Sequence, residues 1–113
     1  MTGQELFAER EAIKKRLTDS LQRAYDNGIE SADKTRLYRI LLAQKILQLK
    51  ADGVPVSIID KIAKGSDEVA KAEFEMNVAE VKYKASNENI MAQKKLLEGI
   101  EADIRREYFR NEE

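Results

Sequence analysis

The sequence predicts an all-α fold, and three observations carry that prediction. Six apolar residues, Val69, Met76, Tyr83, Ile90, Leu97 and Ile104, recur at intervals of seven through the last third of the chain. Charged residues make up 36% of the chain and aromatics 6%, the balance of amphipathic helices with solvated outer faces. One proline and five glycines in 113 residues leave long stretches without a breaker, and strand-like alternation is absent. Together they predict a helical hairpin and a short helix packed on a long C-terminal coiled-coil helix, as a single domain over residues 1–113.

The first helix is expected over about 3–27. Thr2 and Glu5 form a capping-box pattern, in which hydroxyl and carboxylate each satisfy an orphaned backbone N–H. Leu6, Ile13, Leu17, Leu21 and Ala24 then recur at helical spacing, and Asn27-Gly28 offers a left-handed C-cap. Ser31 is the expected N-cap of a second helix over about 32–52. Its residues Leu37, Tyr38, Ile40, Leu41, Leu42, Ile46, Leu47 and Leu49 cover more than half the helix circumference, so it should meet partners on two sides. Asp52-Gly53 and then Pro55 close it.

Ser57 is the expected cap of a short helix over about 58–64, with Asp60 in its first turn, and Gly65 ends it. The last helix is expected over about 67–110, roughly 65 Å at 1.5 Å per residue. Ser86-Asn87-Glu88-Asn89 contains poor helix formers, but the seven-residue phase from Tyr83 to Ile90 passes through it, which predicts an unbroken helix. A strict heptad stripe must face another helix, in this chain or in a second copy. Ala72, Ala79, Ser86, Gln93 and Ile100, each three residues after a stripe member, line its other edge. Ala85, Ala92 and Gly99 suggest close packing on the same face, Phe74 and Val81 a second stripe for the short helix, and Leu96, Tyr108 and Phe109 more apolar surface near the end. A helix this long should leave part of the stripe free, so a homo-oligomer is expected.

Composition narrows the chemistry. The chain has no cysteine and no histidine, which removes thiol nucleophiles, the commonest general base and the usual zinc ligands. No Gly-rich phosphate loop, nucleophile elbow or metal-ligand spacing occurs, and Glu73, Glu80 and Glu101 fall on an outer helix face. No catalytic, cofactor-binding or metal-binding residues are therefore assigned, and the protein is expected not to be an enzyme. The charged start of the chain and the lack of an eighteen-residue apolar run predict a cytoplasmic protein with no membrane span.

Charge is unevenly spread. Residues 31–65 hold seven basic and three acidic groups, whereas residues 66–113 hold eight and twelve, giving +4 and −4. Lys34, Arg36, Arg39, Lys45, Lys50, Lys61 and Lys64 form the basic cluster. Its simplest role is pairing with the acidic last helix, and its alternative is contact with nucleic acid or a partner protein. Tyr38 is the one aromatic residue near it, so stacking platforms for bases are lacking. Residues 56–69 have a faint helix-turn-helix character, but Asp67 and Glu68 would open the reading helix and repel phosphates.

The string Gly53-Val-Pro-Val-Ser57, Ala63-Lys-Gly65, Glu68-Val-Ala70 and Val78-Ala-Glu-Val81 with Tyr83, leading to Arg105, Arg106, Tyr108 and Phe109, resembles small helical early-region proteins of phages and prophages of Gram-positive bacteria. The likeness spans about residues 50–110. It implies an accessory or host-takeover protein that binds a host or phage protein, such as a nuclease or immunity factor. It implies no catalytic residues. A replication or recombination accessory factor that binds nucleic acid or a nucleotide, or an assembly scaffold, is the alternative.

Overall fold

The computed structural model describes residues 2–112, with side chains through residue 110. Its order is α1 (Gly3–Ala51), α2 (Val56–Gly65) and α3 (Asp67–Glu112), and no strand occurs among the described residues. The two long helices pack together and the short one packs against them, as the all-α prediction requires. The chain divides into two compact units, each drawn from both long helices. Residues up to Tyr25 with those from Lys84 onward form the first, and Asp26–Tyr83 forms the second.

The principal correction concerns α1. The two helices expected over about 3–27 and 32–52 are one helix, uninterrupted through Asn27-Gly28 and Ser31. Gly28 is no C-cap, because Gly53 is the one glycine with positive φ. A Cβ on Gly28 would stand 3.1 Å from Tyr83 Cε1 and 3.2 Å from its Cζ, so the glycine makes room for an aromatic ring. Ser31 sits mid-helix, its carbonyl accepting from Thr35 Oγ1 at 2.9 Å.

The ends behave as the local chemistry dictates. Thr2 N–H donates to Glu5 Oε2 at 3.1 Å and Glu5 N–H to Thr2 Oγ1 at 3.2 Å, the reciprocal capping box. At the other end Gly53, φ 83°, takes the left-handed conformation. Val54 N–H then reaches back to Leu49 O at 3.0 Å and Gly53 N–H to Lys50 O at 3.1 Å, a Schellman motif. Its hydrophobic contact is present, since Val54 packs on the cluster of Leu49, Ile59 and Ala63. The expected Ser57 cap is not formed; α2 begins at Val56 behind Pro55, with no side-chain capping bond. Asp60 lies beyond the first turn and pairs with Lys64 at 3.2 Å. Gly65 is the last residue of α2, as expected, and Ser66 is its C-cap, with N–H and hydroxyl both donating to Ala63 O.

In the first unit the helices run antiparallel. Leu6, Ile13 and Ile100 form the buried cluster, with Leu97 and Ile104 packed against it. Ser20, 1% exposed, donates to Arg16 O at 2.7 Å and accepts from Asn89 Nδ2 at 2.7 Å. One turn on, Gln93 buries its amide oxygen without a hydrogen bond. The seam here is partly polar, and α3 nonetheless continues through residues 86–89, as the unbroken phase predicts.

In the second unit antiparallel pairing is marked by Lys82 with Glu30 at 3.4 Å and Lys34 with Glu75 at 3.5 Å. Val69, Ala72 and Ala79 are buried, and Leu42, Ile46 and Val54 pack around Leu49, Ile59 and Ala63. The face that α2 buries is therefore Ile59 and Ala63, which meet the end of α1. Phe74 and Val81 do not dock it, being 68% and 66% exposed.

Candidate functional site

The heptad seam is engaged inside the chain. Val69 is 1% exposed, Met76 and Ile90 are half-buried, and Leu97 and Ile104 pack on Leu6, Ile13 and Ile100. Tyr83 lays its ring over Gly28 and remains 38% exposed. The second row is engaged as well, with Ala72, Ala79 and Ile100 buried and Ser86 and Gln93 half-buried. α1 supplies the facing residues Leu6, Ile13, Ser20 and Gly28. The expectation of a free stretch of this seam is thus corrected: its six members contact their own chain or are half-buried. Ala85, Ala92 and Gly99, expected in close packing, are exposed instead.

The basic cluster divides by its partners. Lys34 pairs across to Glu75, as intramolecular neutralisation requires. Arg36 pairs with Asp33 of its own helix at 2.9 Å, and Lys64 with Asp60. Among the described residues Arg39, Lys45, Lys50 and Lys61 have no ion pair, so more than half of the cluster's charge is not consumed by the chain. Such exposed pairs as do form contribute little stability, typically about 0–1 kcal/mol.

Apolar groups accompany these cations. Ile40 and Leu47 on α1 are 41% and 67% exposed, and Val56, Ile58 and Ile62 on α2 are 75%, 45% and 42% exposed. α2 buries Ile59 and Ala63 to hold its place and turns its other aliphatic side chains outward. The stretch from Arg39 to Ile62 is accordingly both cationic and apolar, a combination that suits the acidic and aliphatic surface of another protein. Sequence reasoning found the charges and missed the aliphatic groups. An exposed Ile58 and a buried Ile59 read alike until the helix is placed.

Tyr38 is half-buried beside Glu73. Burial, then the neighbouring Glu73 carboxylate that its hydroxyl meets, raise the Tyr38 pKa above the usual phenol value. Glu73 is therefore not the solvated outer residue expected. The hydrogen bond and charge of Asp60 hold the Lys64 pKa above the ordinary lysine value. Among the described residues no group of His, Cys, Asp and Glu side chains converges to hold a metal ion. No helix of the described residues is long and apolar enough to cross a membrane.

A second surface feature lies in the first unit, where Gly3, Leu6, Phe7, Ile104, Tyr108 and Phe109 line an apolar cleft of about 450 Å³. The Tyr108 and Phe109 rings meet edge to face with centroids 5.8 Å apart, and the Arg10 guanidinium lies 5.0 Å from the centre of the Phe7 ring. Exposed Arg105 at the rim and Glu107, which pairs with Arg110, complete the lining. Compared with known protein families, curated proteins and solved structures, the chain matches none.

Proposed function

We propose that this is a non-enzymatic helical interaction protein that binds a bacterial protein in the cytoplasm of its host through the cationic and apolar stretch from Arg39 to Ile62. The observation that carries the reading is the coincidence there of four cations without ion pairs and of exposed Leu47, Val56, Ile58 and Ile62. Across the chain the buried apolar set includes four alanines, while Phe, Tyr, Ile, Leu and Val side chains are exposed. The resemblance to phage early-region proteins favours a nuclease or immunity factor as the target, and inhibition of that target as the outcome.

The four unpaired cations also favour a second reading, a nucleic-acid-binding accessory factor that neutralises phosphates without reading bases. Capture on the tagged chain from a nuclease-treated Gram-positive lysate separates the two. The first reading expects one host protein to be retained by the wild type and lost from both a Lys50→Glu/Lys61→Glu and an Ile58→Ser/Ile62→Ser variant. Retention of that protein by both variants, or no protein retained by the wild type, would overturn it. Salt-sensitive retention of the wild type on DNA, abolished by the lysine changes alone, is the result the second reading expects.

A further inference from the structure

Two surfaces of this chain, one in each unit and neither of them the stretch from Arg39 to Ile62, complement each other. The first is the apolar cleft of Leu6, Phe7, Ile104, Tyr108 and Phe109 with Arg105 at its rim. Phe7, Tyr108 and Phe109 are 48%, 60% and 63% exposed, and the cleft adjoins the buried cluster of Leu6, Ile13 and Ile100. Arg106 pairs with Asp103 and Arg110 with Glu107. Arg105 has no ion pair among the described residues.

The second surface is the outer face of α3 in the second unit. Phe74 and Val81 are seven residues apart and Val78 lies between them one turn on, so the three share one helix face. They are 68%, 66% and 42% exposed. Seven residues before Phe74, on the same line, stands Asp67, exposed and also without an ion pair among the described residues. Ala70 between them is small and exposed, which lets a facing ring approach. Over residues 67–80 this helix carries five acids and one base.

We propose that the outer stripe of α3 in one copy, Asp67, Phe74, Val78 and Val81, seats in the aromatic cleft of a second copy, with Asp67 paired to Arg105. The occupant fits by chemistry on both counts. An apolar helix face meets an apolar cleft that a third helix would complete, and the one cation at the rim that the chain leaves unpaired meets the one stripe carboxylate that it leaves unpaired. Different surfaces join, so the contact is heterologous and each copy retains one free cleft and one free stripe. Copies then add successively, into a ring if the geometry closes and a filament if it does not. A contact of so few side chains falls well below the roughly 800 Å² per partner of a stable complex, so association is weak and rises with concentration.

Sedimentation velocity over a concentration series tests this on the full chain. The wild type should form species larger than dimers as concentration rises. A stripe variant, Phe74→Glu/Val81→Glu, and a cleft variant, Tyr108→Glu/Phe109→Glu, should each remain monomeric, while their equimolar mixture should stop at a heterodimer through the single intact joint. Because these variants change exposed side chains, helicity by circular dichroism should match the wild type. The charge pair gives a second, milder test: Arg105→Asp should weaken association about two- to fivefold, and adding Asp67→Arg to the same chain should restore it. A wild type that is monomeric throughout, a dimer that survives in both double variants, or a variant mixture that stays monomeric would overturn the proposal.

Discussion

At the scale of single residues, Gly28 shows how a side chain that is absent can set a structure. Glycine inside a helix costs about 1 kcal/mol against alanine, and Asn27-Gly28 reads locally as a helix end for that reason. The Tyr83 ring, 3.1 Å from where a Cβ would be, supplies the contact that offsets the cost. A thermodynamic cycle separates the two effects. In the wild type, Gly28→Ala gains helix propensity but must displace the ring; in a Tyr83→Ala background it gains propensity alone. Urea midpoints should therefore show Gly28→Ala to be more favourable in the Tyr83→Ala background by about 1 kcal/mol. Equal effects in the two backgrounds would mean that the close approach has no energetic weight. The Ser20 and Asn89 pair makes a related point, since a buried hydroxyl is tolerated here by having both a donor and an acceptor role filled.

At the scale of elements, the sequence was legible where a periodic signal agreed with a capping signal and misleading where the two conflicted. Thr2-Glu5, Gly53 and the start of α3 at Asp67 were legible from their capping and breaker residues, next to which the apolar pattern offers no competing phase. At Asn27–Ser31 the local signal indicated a turn, yet Ala24, Ser31 and Tyr38 keep seven-residue spacing across it. The same criterion that carried α3 through Ser86–Asn89 would have carried α1 through Gly28. In α3 the heptad stripe was legible as the seam, whereas Phe74, Val81, Ala85, Ala92 and Gly99 read as packed and are exposed; adjacent residues test the stripe. Leu97 packs on Leu6, Ile13 and Ile100, whereas Leu96 is 52% exposed. Leu97→Glu should cost about 2 kcal/mol or more, by losing packing and burying a carboxylate. Leu96→Glu should change stability by less than about 0.5 kcal/mol. Denaturant melts of the two variants compare them directly, and similar losses would argue that the stripe is not the seam.

At the scale of the whole molecule, the opposite charges of the middle and final segments were legible as numbers, but their use was not. Of the ion pairs between the long helices, Lys34 with Glu75 follows the expected neutralisation and Lys82 with Glu30 runs in the opposite sense, while Arg39, Lys45, Lys50 and Lys61 have no ion pair among the described residues. Ion-pair choice depends on helix rotation, which a charge count does not contain. The same holds for Tyr38, whose position in the basic cluster reads as a lone aromatic and whose actual neighbour is an acid. Its consequence reaches the global stability. Burial and Glu73 raise the Tyr38 pKa in the folded chain, and Asp60 raises that of Lys64. A raised folded-state pKa means that the native chain binds more protons than the unfolded one as pH climbs past the unfolded values near 10. The stabilisation is fully present below that pH and is lost as pH rises through the folded pKa values, so unfolding should become easier in alkali. Urea midpoints measured on either side of pH ~10 should fall with pH, and Tyr38→Phe, which has no phenol to ionise, should fall less steeply. A wild type and a Tyr38→Phe variant with the same alkaline slope would show that the phenol beside Glu73 ionises as freely in the folded chain as in the unfolded one.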